Sequence, residues 1–208
     1  MSYDSLDLPL VWPANLSEGQ VRLRPIRRSD QRNWTALREA NRDWLTPWDA
    51  TSPEDAEPRP PNFPAYVRQS LHQAREGHSL PWVIEYRDEL VGQLTISGIA
   101  RGAVQSGTIG YWIGQGVAGR GITPTAVALA FDHAVGAARL HRLEIAIRPE
   151  NGPSLRVAQK LGFREEGLRP RYLHVDGKWR DHRIFALTRE EVPEGLLGRW
   201  RANRITAP

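Results

Sequence analysis

The chain has 208 residues, enough for one domain with a full core, and it holds no apolar run long enough to span a bilayer. It has no cysteine, which excludes a disulfide framework and thiolate chemistry and agrees with a reducing cytosol; a cytoplasmic protein without membrane contact is expected. Lys and Arg number 28 against 24 Asp and Glu, and the excess is local, with eleven basic and six acidic residues between Arg139 and Arg183.

Residues 1–19 carry Trp12, Leu and Pro without a clear period and read as an arm packed on the domain. They contain no basic segment followed by an apolar run, so no signal peptide is expected. From Gln20 to Pro25, Val21 and Leu23 alternate with Arg22 and Arg24, a strand with one buried face. Ser29 and Asp30 offer a cap for a helix reaching Asn41, and Trp44-Leu-Thr-Pro47-Trp48 breaks it. Five prolines between Pro53 and Pro64 mark a surface loop. Phe63, Val67, Leu71 and Ala74 form one stripe of a second helix over Asn62–Gly77, which Gly77 closes. Strands follow over Leu80–Tyr86, Leu90–Ile99 and Gly107–Gly114. Ile122–Ala138 is apolar on nearly all sides, so this helix should be well covered. His141–Arg148 alternates and lies parallel to the preceding strand, because a helix carries the chain back. Asn151 caps a helix to Leu161, and a hairpin turning at Asp176-Gly177 joins Phe163–Val175 to Lys178–Thr188. Residues 190–208 read as a short helix or tail. The fold class is α+β: a mixed, mostly antiparallel sheet with one parallel pair in its middle, flanked by helices.

The stretch Gly116-Val-Ala-Gly119-Arg-Gly121 lies between a strand and a helix, with Pro124 in the first helical turn. Free backbone N–H groups and the positive end of the helix dipole suit a phosphate or pyrophosphate there. The spacing is GxxGxG, unlike the dinucleotide GxGxxG, and no Gly-Lys-Ser/Thr follows for a nucleotide P-loop. About thirty residues on come Asn151-Gly-Pro-Ser154 and Lys160-Leu-Gly162-Phe163.

Gly119-Arg-Gly121, Asn151-x-x-Ser154 and Lys160-Leu-Gly162-Phe163, in this order after a strand, resemble the GCN5-related N-acetyltransferases (GNAT), and within them the RimJ/RimL type that acetylates N-termini of ribosomal proteins. The resemblance covers roughly residues 20–189, taken as the catalytic domain between the arm (1–19) and the tail (190–208). One departure stands out: the family often has Gln or Arg three residues before the first glycine of GxG, where this chain has Gly116 with Gln115 beside it. The resemblance implies a sheet whose parallel strands splay apart to admit coenzyme A, with acetyl-CoA as acyl donor and no metal. It implies donor contacts from Trp112, Ile113 and Gly114, from the N–H groups of Gly119, Arg120, Gly121, Ile122 and Thr123, and from Asn151, which doubles as a helix cap.

Acetyl transfer needs a fixed donor, a deprotonated amine, a stabilised oxyanion and a proton for the leaving thiolate. The resemblance puts Ser154 forward for that last proton; the tyrosine that many relatives carry four residues further on is Ala158 here. Glu144 is the first candidate base, with a surface ion pair to Arg142 or Arg148 as its alternative; Asp181 and His182 come second, and His174, expected directly across the final hairpin from His182, is similar. Trp44, Trp48, Tyr172 and Trp179, among eight tryptophans and five tyrosines, are expected to wall an aromatic acceptor site for a peptide N-terminus or a small amine. No metal-ligand spacing and no Ser-His-Asp pattern is present, and the basic residues lack the interleaved aromatics of a nucleic-acid site. The expected function is direct acetyl transfer to a protein N-terminal amine, by a monomer or homodimer. The alternatives are transfer to a small-molecule amine and a non-catalytic acyl-CoA-binding module.

Overall fold

The computed structural model describes residues 12–53 and 60–206; expectations for residues 1–11 and 54–59 lie outside this range. Eight strands form one sheet: β1 Leu16–Glu18, β2 Val21–Pro25, β3 Leu80–Tyr86, β4 Glu89–Ala100, β5 Ser106–Ile113, β6 Arg142–Ile147, β7 Arg164–Val175 and β8 Lys178–Thr188. Their order is β1-β2-β3-β4-β5-β6-β8-β7, antiparallel throughout except for the parallel pair β5–β6. Six helices flank it among the described residues: α1 Gln31–Ala40, α2 Arg42–Leu45, α3 Phe63–Arg75, α4 Ile122–Gly136, α5 Gly152–Leu161 and α6 Leu196–Thr206.

Strand alternation sorts the core to two faces. Trp82 and Ile84 of β3, with Leu94, Ile109 and Leu143, pack under α4, α5 and α6. Val83 points the other way, into a smaller cluster with Ile26 and Val67 that Trp34, Phe63 and Tyr66 cover. Helix α4 is apolar on all sides because it is covered on all sides: twelve of its fifteen residues are buried. The final hairpin turns at Asp176 and Gly177, both at positive φ as a two-residue hairpin turn requires.

Three local readings change. Asp30 does not cap α1; both of its carboxylate oxygens are taken up by the Arg24 guanidinium (2.8 and 2.9 Å), and one also accepts from Arg27 N (2.8 Å). The first helix ends at Asn41 as expected, but the stretch from Trp44 to Trp48 is not irregular: it holds the end of α2 and a 3-10 turn over Thr46–Trp48. Across the hairpin, His182 faces Arg169 and His174 faces Trp179, because register shifts between Arg169 and Leu173 displace the pairing.

Candidate active site

Strands β5 and β6 pair over only three residues, Ser106–Thr108 against Arg142–Glu144, although β5 continues to Ile113 and β6 to Ile147. Beyond Thr108 they diverge, and a cleft of about 1300 Å³ opens between them. Gly114 N donates to Val91 O (2.9 Å), so by antiparallel alternation the backbone groups of Ile113 and Tyr111 face away from β4, into the gap. Unpaired strand backbone needs partners, and an extended ligand with amide groups supplies them. One partner is internal: Trp44 Nε1 donates to Ile113 O (3.0 Å). Asn41 Oδ1 likewise accepts from Gln115 N (2.8 Å), so α1 and α2 are tied to the end of β5.

At one end of the cleft, Gly119 and Gly121 take φ of +80° and +79°, the left-handed region that glycine enters without a Cβ penalty. The first i→i−4 bond of α4 runs from Thr125 N to Gly121 O (3.2 Å), so the N–H groups from Gly119 to Thr123 have no intrahelical acceptor. Gly119, Gly121, Ile122 and Thr123 line the cleft, whereas the Arg120 side chain folds back to donate to Gly116 O (3.2 Å). The C-terminal helix, which the sequence leaves without a role, braces this loop. Asp132 caps α6 by accepting from Leu196 N (2.6 Å) and Leu197 N (3.0 Å). From α6, Trp200 Nε1 donates to Thr125 Oγ1 (2.8 Å), and that hydroxyl donates to Gly121 O (2.9 Å).

Asn151 caps α5, its Oδ1 accepting from Ser154 N (3.1 Å), and both residues line the cleft. Ser154 Oγ and the hydroxyl of Tyr111 on β5 share a hydrogen bond (3.1 Å). Tyr111 is absent from the expected site residues. It lies on the same strand face as buried Ile109, two residues on, and burial pushes its phenol up to about 12 while the Ser154 bond acts against that rise. A polar aromatic at an inward strand position beside a glycine loop is the signal that marks it.

Glu144 does not line the cleft. Oε1 accepts from Arg142 (2.8 Å) and Oε2 lies 3.3 Å from Arg169, the ion-pair alternative rather than a free base. Asp181 accepts from Arg171 N (2.7 Å), and His174 meets Thr51 Oγ1 (2.7 Å). His182 does line the cleft and is buried at 4% exposure. Its Nδ1 lies 3.0 Å from Arg180 O; a carbonyl only accepts, so Nδ1 carries the proton and Nε2 is left as the basic atom. Burial holds the imidazole below its ordinary range, the Arg180 carbonyl acts the other way, and the Arg148 charge lowers it further.

Of the four expected aromatic walls, Trp44 and Trp48 line the cleft, and Trp48 stacks under Arg148 at 5.4 Å. Tyr172 sits edge-on to His182 (6.1 Å), and Trp179, 54% exposed, lies against His174; neither lines the cleft. The opposite wall is built instead by Trp34, Phe63, Tyr66 and Trp112, whose rings lie 5.1 to 6.1 Å apart. Beneath them buried Gln93 accepts from Trp34 Nε1 (2.9 Å) and donates to Tyr66 Oη (2.5 Å). Arg38 stacks over Trp112 at 5.1 Å and holds both oxygens of Asp49. Asp49 is the one acid among the described residues lining the cleft. No group of metal-ligating side chains occurs among the described residues, and no helix there is long and apolar enough to cross a membrane.

Residues 20–164, well over half of the chain, match the family described as Acetyltransferase (GNAT) domain. The chain belongs to the GNAT acetyltransferase family. This acetyltransferase is 30% identical over 170 residues to the Bacillus subtilis probable N-acetyltransferase YjcK, covering 80% of the chain and 93% of that relative. It is 29% identical over 161 residues to the Escherichia coli [ribosomal protein uS5]-alanine N-acetyltransferase, covering 76% of the chain and 81% of the relative. Among solved structures it resembles Mycobacterium smegmatis RimJ in complex with CoA-disulfide, at TM-score 0.86 and 42% identity over 92% of this chain and 95% of that one. The RimJ/RimL resemblance and the GNAT fold, with its splayed parallel pair, are thereby established, and the protein is an N-acetyltransferase.

Proposed function

We propose that this acetyltransferase moves the acetyl group of acetyl-CoA to the α-amine of a protein N-terminus, a ribosomal-protein alanine being the favoured acceptor. The cleft carries the reading: it joins a glycine loop whose N–H groups have no intrahelical acceptor to an aromatic end that, among the described residues, has no free carboxylate. Acetyl-CoA is the donor because the phosphates suit the loop, the pantetheine amides suit the gap beside Ile113, and the Mycobacterium smegmatis relative was solved with CoA-disulfide. Direct transfer is the reading, with no cysteine in the chain to carry the acetyl group as a thioester.

Acceptor class follows from charge. Among the described residues the lining offers an ammonium no unpaired acid, which favours entry of a neutral amine. Neutralising an α-amine at pH 7 costs about 1 kcal/mol, against about 5 kcal/mol for a lysine side chain. His182, neutral and with Nε2 basic, takes the proton as nitrogen attacks. The alanine preference is carried over from the Escherichia coli relative's name.

The experiment offers acetyl-CoA with three acceptors: a peptide with a free N-terminal alanine, the same peptide with a blocked N-terminus and an internal lysine, and a small primary amine. Mass spectrometry should show acetylation of the first alone. Preferential modification of the lysine peptide would overturn the α-amine reading, and turnover of the small amine alone would replace the protein acceptor.

A further inference from the structure

The leaving thiolate needs a proton, and the cleft holds two neighbouring hydroxyls that can give one, those of Ser154 and Tyr111. Ser154 Oγ lies 3.1 Å from the Tyr111 oxygen, so the two hydroxyls share one hydrogen bond. That bond uses one of the two hydroxyl hydrogens and leaves the other without an acceptor among the described residues, in the same cleft and beside the strand bordering the gap. A phenol is also much the stronger acid of the two hydroxyl types.

We propose that Tyr111 protonates the departing coenzyme A sulfur and that Ser154 is its positioning partner, an assignment that rests on the acetyltransferase reading above. The amine nitrogen bonds to the thioester carbon, and the tetrahedral intermediate collapses by breaking the carbon–sulfur bond. Sulfur leaves with the bonding pair and takes the Tyr111 Oη proton, giving coenzyme A thiol. The phenolate is held by the Ser154 hydrogen bond, and the proton taken from the amine returns to it through His182 and solvent. Protons balance: one leaves nitrogen and one arrives on sulfur. The high phenol pKa, about 12, keeps this donor protonated across the working pH range, and the Ser154 bond stabilises the anion when it forms. The tyrosine thus comes from strand β5, where many relatives would place it on the helix at the position of Ala158.

Tyr111→Phe retains the ring and its packing and removes the acid. Its turnover with acetyl-CoA and an N-terminal peptide should fall about 10²-fold, the lower end of general acid catalysis, with coenzyme A affinity unchanged within twofold. Ser154→Ala should lose less, about tenfold, and the double variant should be no worse than Tyr111→Phe, as expected for two residues acting as one unit. A second readout needs no acceptor: the thiolate absorbance of bound coenzyme A, corrected with desulfo-coenzyme A, is followed against pH. A phenol donating to sulfur makes the thiol more acidic, so Tyr111→Phe should move that titration to higher pH. Turnover of Tyr111→Phe within threefold of the parent, a larger loss in Ser154→Ala, or an unmoved thiol titration would overturn the assignment. If the parent binds coenzyme A but acetylates no amine, the transferase reading fails while the titration still decides whether Tyr111 reaches the sulfur.

Discussion

The two ends of the cleft are built differently. The donor end is backbone: the N–H groups of Gly119 to Thr123, the unpaired edge of β5 and the start of α5, all within about fifty residues of sequence. The other end is side chain: Trp34, Tyr66, Gln93, Trp112 and His182 arrive from α1, α3, β4, β5 and β8. A backbone site is written in short motifs, because glycine spacing and helix starts are local. A side-chain site is assembled by packing, and no local motif announces it.

The largest expected effect is at the donor end. Gly121→Asp adds a negative charge and forces an L-residue to φ +79° with its Cβ 3.6 Å from Trp200. Coenzyme A binding should become undetectable by calorimetry while the folded circular dichroism spectrum remains; measurable binding would remove the loop from the donor site.

His182→Gln keeps a polar side chain without a base and should cut kcat/KM about 10²-fold. Burial depresses the folded imidazole pKa, so the unfolded chain binds its proton first; stability is full above about pH 6.5 and lost as pH falls through the depressed value. Arg148 reinforces that depression, while Asp181 and Glu150 oppose it. Melting temperature should therefore drop less steeply below pH 6.5 in His182→Gln than in the parent. Equal slopes would mean that the ring is not held neutral.

Gln93→Leu separates the two ends. It strands the Trp34 and Tyr66 donor and acceptor groups, so the KM for a peptide acceptor should rise about tenfold with the KM for acetyl-CoA unchanged. A rise in the acetyl-CoA constant instead would place the aromatic wall at the donor. Trp200→Phe keeps the packing but removes the donor to Thr125, and should weaken coenzyme A about fivefold, about 1 kcal/mol. Smallest of all, Glu144→Gln should leave turnover within twofold, because that carboxylate is spent on Arg142 and Arg169; a loss of a hundredfold would restore it as the base.

From the residues alone came the α+β class, the parallel pair, the cap at Asn151 and the glycine-rich loop. Each depends on interactions within a few residues or on a strict period, so the chain order carries it. Tertiary structure decided the rest. Glu144 and Ala146 share a strand face, yet only Ala146 reaches the cleft, because Arg142 and Arg169 draw the glutamate away. Trp179 and Tyr172 fall outside the cleft and His182 inside it, with register shifts between Arg169 and Leu173 altering which residues face each other. Tyr111 and Ser154 stand 43 positions apart, and Trp200 and Thr125 stand 75 apart. Such pairs meet only when the sheet and its helices pack, and side-chain hydrogen bonds at that separation leave no period in the sequence.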